Sequence, residues 1–416
     1  MNTSLTLHNA AQVICISKNR ELVKRGSDMS DIAVLKNTTI VVRDGEISWI
    51  GPSSRAPTTL KDVEELDLTG KIVVPGFVDS HTHLIFSGTR EDEFEQRLQG
   101  RTYQEIAAAG GGINATVKCV RSATKKDLMI QARRRLKSFL AFGVTTVEVK
   151  SGYGLSLADE IKCLEAIAEL SAEGPIELVP TFMGAHAIPP EFQKDRTGYI
   201  RLLIDDMLPE IARCKLAEFC DVFCDQGAFS LEESEKILGR AKDLGFKLKL
   251  HADELSPLGG AILAAKLGAT SADHLLQVTD AGIDALAKSS TIATVLPGTA
   301  FFLGLPSAPA RRMIERGLPI ALASDCNPGT CPTENLPLLG AMACLGMHML
   351  PAECMTALTL NGAAALGRSD RIGSIEIGKQ ADLLVCDVAN YQQFFYHFGV
   401  NHVRQVIKRG QVVYDA

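Results

Sequence analysis

Between Ile72 and Ser324, short apolar runs rich in β-branched residues alternate with longer stretches in which apolar side chains return every three or four positions. The short runs have the texture of strands and the longer ones the period of amphipathic helices, so this part of the chain reads as a series of βα units. The strand-like runs are Ile72–Asp79, Thr145–Val149, Glu177–Phe182, Phe219–Phe223, Lys247–Leu250, Ser271–Ala272, Thr291–Leu296 and Ile320–Ala323. Together they are the eight that a (β/α)8 barrel requires. Helices are predicted over Leu128–Phe142, with Leu128, Ala132, Leu136, Phe139 and Leu140 on one face and Gly143 closing it, and over Asp159–Ala172 with Ile161, Leu164 and Ile167.

The two ends of the chain have a different pattern. Val41–Trp49 carries an Asp44-Gly45 hairpin signal, Leu383–Val388 is a compact strand, and Val406–Tyr414 carries Arg409-Gly410 between two β runs. Neither end is large enough for a core of its own, so residues 1–65 and 370–416 are expected to build one small β-domain together, with the barrel in 66–369. The predicted fold class is α/β, a TIM-like barrel plus that composite β-domain.

Composition narrows the function. With 416 residues, 46% hydrophobic and 22% charged, the chain can bury a sizeable core. A net charge of −6 and a pI near 5.9 argue against nucleic acid or an anionic membrane as partner, and the expected ligand is a small molecule. The 11 cysteines are scattered without a C-x-x-C pair. No signal peptide or membrane span is recognisable, so a cytoplasmic protein with free thiols is expected. A homodimer is expected on base rates alone.

The chemistry lies where the strand-like runs end. The first run leads into His81-Thr82-His83; in extended chain, residues i and i+2 share a face, so both imidazoles can close on one ion. The later ends carry Lys150 and Tyr153; His186; His251, Asp253 and Glu254; Asp273 and His274; and Asp325 and Asn327. Catalytic groups of such barrels come from these ends. His81, His83, His251 and Asp325 would hold one metal ion and leave room for a water, a donor set that suits hydrolysis. Glu254 and His274 lie close enough in sequence to act on that water, one as base and one as acid, although an exposed loop carboxylate and a buried structural histidine are the competing readings. Arg90 suits bidentate binding of a carboxylate, yet in the stretch Arg90-Glu91-Asp92-Glu93 composition alone favours a plain surface arginine. Gly110-Gly111-Gly112 lacks the residues of a phosphate loop and reads as a flexible loop able to cover the site.

These motifs resemble the amidohydrolase superfamily. More closely, Val147-Glu-Val-Lys-Ser-Gly-Tyr-Gly-Leu155, Phe182-Met-Gly-Ala-His-Ala187, Cys220-Asp-Val-Phe-Cys-Asp225, His251-Ala-Asp-Glu254, Ser271-Ala-Asp-His274 and Ala323-Ser-Asp-Cys-Asn-Pro-Gly329 resemble the imidazolonepropionase family of histidine degradation. The resemblance implies hydrolysis of the cyclic amide of 4-imidazolone-5-propanoate to N-formimidoyl-L-glutamate, by attack of a metal-activated hydroxide on the ring carbonyl. It implies one zinc or iron ion per chain on His81, His83, His251 and Asp325. It also implies a substrate pocket lined by Arg90, Tyr153, His186, Glu254 and Asn327 through Thr330, with Gly329 among them. Within that scheme His274, with Asp325 beside the water, is expected as base. Glu254 orients the ring nitrogens and passes protons, His186 helps to hold the oxyanion, and Arg90 and Tyr153 hold the propanoate. The lysine that bridges two metals in binuclear relatives has no counterpart at Cys224-Asp225-Gln226, so a single ion is expected. An aminohydrolase of a purine-like ring needs the same ion, histidine and glutamate and is the alternative. A non-catalytic barrel would have broken ligands, and here all four are present.

Overall fold

The computed structural model describes residues 4–57, 63–101, 105–106 and 109–416. Strands β1 (Leu5–Ile14), β2 (Val34–Arg43), β3 (Glu46–Pro52), β4 (Glu64–Asp67) and β5 (Ile72–Pro75) begin the chain. The parallel strands β6 (Phe77–Asp79), β7 (Val144–Lys150), β8 (Glu177–Ala185), β9 (Phe219–Cys224), β10 (Lys247–Ala252), β11 (Ser271–His274), β12 (Ile292–Val295) and β13 (Ile320–Leu322) follow. Strands β14 (Leu383–Cys386), β15 (Val403–Lys408) and β16 (Gln411–Asp415) end it.

β6 to β13 pair in sequence order as the eight-stranded barrel sheet. The seam between its first and last strands is closed by the segments just beyond them. Asp325 N–H donates to His81 O at 3.0 Å, and His83 N–H donates to Cys326 O at 3.0 Å. The expected helices are Lys125–Ala141 and Leu157–Glu173. The first starts at a capping box in which Thr124 and Asp127 satisfy each other's backbone N–H, a signal that extends it beyond its apolar stripe.

The second sheet runs β16-β15-β14-β5-β1-β2-β3, with β4 on β1, and so draws strands from both ends of the chain. Its hairpins turn at Asp44-Gly45 (φ 51° and 81°) and Arg409-Gly410 (φ 49° and 74°), the left-handed pairs that a two-residue connection requires. The run Ile72–Asp79, expected as one strand, is two. Ile72–Pro75 pairs with β14 and β1 in the terminal sheet, whereas Phe77–Asp79 pairs with β7 in the barrel. Gly76 is the pivot, and a Cβ there would lie 2.3 Å from Thr145 Oγ1.

The interior of the barrel departs from the usual branched apolar filling. Glu148 and Lys150 on β7, Asp221 on β9, Lys249 and His251 on β10, and Ser271 and Asp273 on β11 are all buried, and hydrogen bonds and ion pairs join them. Their apolar neighbours in sequence, Val147, Val149, Leu248 and Leu250, face the helices as part of the main hydrophobic core.

Candidate active site

His81 and His83 sit just past β6, His251 near the end of β10, His274 at the end of β11 and Asp325 past β13, and the barrel brings all five into one buried cluster. His83 Nε2 lies 3.3 Å from His251 Nε2. Asp325 Oδ1 lies 3.5 Å from His81 Nε2 and 3.4 Å from His83 Nε2. The donor atoms of His81, His83 and His251 fall within 4.8 Å of one another, as do those of His81, His274 and Asp325. Ligand atoms of a tetrahedral ion, each bonded at about 2.0–2.2 Å, stand roughly 3.4 Å apart. The spacing found here therefore fits a metal. Among the described residues, His81 Nε2 is buried with no hydrogen-bond partner, as a ligand atom should be.

Two of the imidazoles are fixed from behind by carboxylates that the sequence reading did not single out for that role. His81 Nδ1 donates to Asp273 Oδ2 at 2.6 Å and His251 Nδ1 to Asp221 Oδ1 at 3.1 Å. Each bond places the ring proton on Nδ1 and leaves the Nε2 lone pair for an ion. Burial holds His81 and His83 well below the usual imidazole range, so both are neutral and fit to ligate. Asp325 accepts Thr299 Oγ1–H on its other oxygen at 2.6 Å, and burial pushes its carboxyl up to about 6. Its backbone takes φ 55°, as His274 takes φ 76°; strained positive-φ positions of this kind cluster at functional sites.

His274 and Glu254 meet: Nε2 to Oε2 is 3.5 Å. Burial keeps the His274 ring neutral, and burial together with the nearby Asp325 and Asp225 pushes the Glu254 carboxyl well above the usual carboxylate range. The Glu254 turn is shaped by Asp225, which accepts the N–H groups of Glu254 and Leu255 at 2.9 and 2.7 Å. Asp253 is structural. It accepts three N–H groups, from Gly259, Gly260 and Ala261, and caps the following helix.

His186 stacks on His83 with centroids 4.8 Å apart, and Tyr153 lies 5.2 Å from His186 and 5.8 Å from His83. Burial pushes His186 down to about 3, and its Nδ1 donates to Gly152 O at 2.9 Å. Arg90 is mostly covered rather than exposed. Glu93 Oε2 takes its Nε at 3.0 Å and its Nη2 at 2.7 Å, and a Cβ on Gly329 would lie only 2.2 Å from its Nη1. Gly112 N–H donates to the other Glu93 oxygen at 2.9 Å, which ties the glycine-rich segment to Arg90. Asn327 builds the loop. Its Nδ2 donates to Asp325 O and Thr330 Oγ1, and its Oδ1 accepts the N–H groups of Gly329 and Thr330. Both amide protons are thus committed to the protein.

A barrel with a metal-compatible histidine and aspartate cluster at its strand ends is the architecture of a hydrolase, and the amidohydrolase family's sequence profile matches residues 72–413. The chain belongs to the amidohydrolase family. Its relatives include "Imidazolonepropionase" of Geobacillus kaustophilus, 48% identical over 413 residues (98% of this chain and 97% of the relative). "Imidazolonepropionase" of Porphyromonas gingivalis is 48% identical over 414 residues (99% and 97%). The fold matches a triazine hydrolase variant with TM-score 0.77 at 17% identity, covering 99% of this chain and 95% of that one. It also matches E. coli guanine deaminase with TM-score 0.74 at 15% identity over the full length of both.

Proposed function

We propose that this enzyme hydrolyses the ring amide of 4-imidazolone-5-propanoate to N-formimidoyl-L-glutamate in histidine degradation. The observation that carries the reading is the convergence of His81, His83, His251 and Asp325 beside His274 and Glu254, in a chain 48% identical to imidazolonepropionases over nearly its whole length. We assign the four residues as ligands of one ion, zinc or iron, since three imidazoles and a carboxylate suit both. When bound, such an ion lowers the pKa of a coordinated water to about 7 and polarises the carbonyl.

The chain's own groups do the rest. Neutral His274 takes the proton of the attacking water, and Glu254, kept protonated by burial, gives one to the departing ring nitrogen; the 3.5 Å approach of the two lets the proton pass between them. His186 has its one proton on Nδ1 and bonded to Gly152. Its Nε2 therefore accepts a ring N–H of the substrate, instead of donating to the oxyanion as the sequence reading expected. Tyr153, kept protonated by burial, and Arg90 hold the propanoate, and this remote binding orients the ring for attack. Gly329 and Thr330 shape the pocket wall beside Arg90. All eleven cysteines are free thiols, which supports a reducing cytoplasm, and we place the enzyme there as a homodimer.

The test follows the ultraviolet absorbance of freshly generated 4-imidazolone-5-propanoate against a His251→Ala control, with spontaneous decay subtracted. Metal-dependent loss with formation of N-formimidoyl-L-glutamate is expected. Ammonia release from a purine-like ring, with no imidazolone turnover, would transfer the assignment to an aminohydrolase.

A further inference from the structure

Lys150 ends β7 with its ammonium sealed inside the barrel, 2.7 Å from Glu148 Oε1 and 2.8 Å from Asp221 Oδ2. Each carboxylate leads to a different part of the ligand cluster. Glu148 Oε2 accepts the N–H of Thr82, the residue between His81 and His83, at 3.0 Å, and Glu148 O accepts the Thr82 hydroxyl at 2.6 Å. Thr82 O in turn accepts Lys150 N–H at 3.0 Å. On the other side Asp221 accepts both the backbone N–H of His251, at 3.2 Å, and its Nδ1, at 3.1 Å. Lys150, Glu148 and Asp221 have no exposed surface.

We infer that Lys150 is a positioning residue that sets the separation between the His81–His83 pair and His251, by clamping Glu148 and Asp221 to one ammonium. The inference rests on the ligand set proposed above. A buried ion pair confers little stability over an apolar filling of the same volume, so three charges retained in a barrel core are explained by what they hold in place. Hydrogen bonds to a charged partner are short and directional, and in a low-dielectric interior they resist stretching. Partners one step behind a metal's ligands alter its affinity by about 10–100-fold. Lys150 and Glu148 act from one step further back, through the Thr82 backbone and Asp221.

Apoproteins of the wild type, Lys150→Met, Glu148→Gln and the double variant are titrated with zinc against a chromophoric chelator, and their melting temperatures are recorded without metal. Ile40→Ala, a cavity in the terminal sheet away from the barrel, serves as a control for lost stability. The expected result is that Glu148→Gln and Lys150→Met each bind zinc at least about tenfold more weakly. The double variant should be no weaker than Lys150→Met alone, while Ile40→Ala keeps wild-type affinity. If Lys150→Met does not fold, Glu148→Gln and Asp221→Asn carry the test. Native zinc affinity in folded Lys150→Met or in Glu148→Gln, or an equal loss in Ile40→Ala at matched melting temperature, would overturn the inference. Zinc binding is read without substrate, so the outcome stands whether or not imidazolone turnover is found.

Discussion

His83 Nε2 and His251 Nε2 face each other at 3.3 Å across 168 positions of sequence. Asp221 holds the His251 proton on Nδ1, so the facing Nε2 carries a lone pair, and it meets a second neutral imidazole. With the His83 proton on Nδ1, which has no hydrogen-bond partner among the described residues, both facing nitrogens are free to hold a cation between them. Removal of metal by chelation is therefore expected to lower the melting temperature and abolish turnover, and one equivalent of zinc should restore both. A ligand at a thousandfold excess over its Kd adds about 4 kcal/mol. Identical melting of the apo and metal-loaded protein would refute the ligand set.

Gly329 leaves the space that Arg90 occupies. A methyl group at position 329 would meet Arg90 Nη1 at 2.2 Å and displace the guanidinium. Gly329→Ala is expected to raise KM by about 10–100-fold, the loss of charged hydrogen bonds worth about 1.5–3 kcal/mol, with metal content unchanged. Arg90→Ala should raise KM in the same way. Kinetics beside elemental analysis decide the matter, and a fall in kcat alone would remove Arg90 from carboxylate binding.

Thr299 donates to the Asp325 oxygen that faces away from the histidines. Thr299→Val keeps the shape and removes that donor, so kcat/KM is expected to fall by about tenfold or more. Wild-type kcat/KM in the variant would mean that the hydroxyl only fills space.

Glu177, at the start of β8, binds Arg368 at 3.0 Å and also Arg371, and so fastens the barrel to the chain that leads into β14. Burial raises its carboxyl, but the Arg368 hydrogen bond and the Arg371 charge outweigh that and hold it below the usual value of 4.5. A depressed folded pKa gives stability that is complete above the unfolded value and is lost as pH falls through the folded one. Glu177→Gln is therefore expected to melt below the wild type at pH 7, by about 1–3 kcal/mol. The two should converge in acid below pH 4.5. Melting curves recorded between pH 3 and 7 test this; parallel curves would assign the loss to packing.

The proposed ligands were legible because each lies at the end of a recognisable strand, where barrel geometry makes side chains converge. The residues behind them were also written in the sequence, in Val147-Glu-Val-Lys150 and Lys247-Leu-Lys-Leu-His251. Strict alternation in a strand buried on both faces means that charged residues point into the barrel, a signal the strand assignment alone did not use. The break at Gly76 was signalled too, by the Pro75-Gly76 dipeptide inside the run Ile72–Asp79, which reading the run as one strand passed over and the pairing with two sheets makes plain. Arg90 reads as a surface residue by composition, and Glu93 with Gly329 explains why it is covered.

The seam of the barrel bears on how the enzyme is made. Ser324 N–H reaches Asp79 across 245 positions, and Asp325 closes against His81 at the same place. While the ribosome is still producing the middle of the chain, the two histidines after β6 have no aspartate to face. The complete donor set exists only once β13 has emerged and docked. A chain that ends before β13 can offer an ion at most the three grouped histidines, and the carboxylate of the proposed site arrives last.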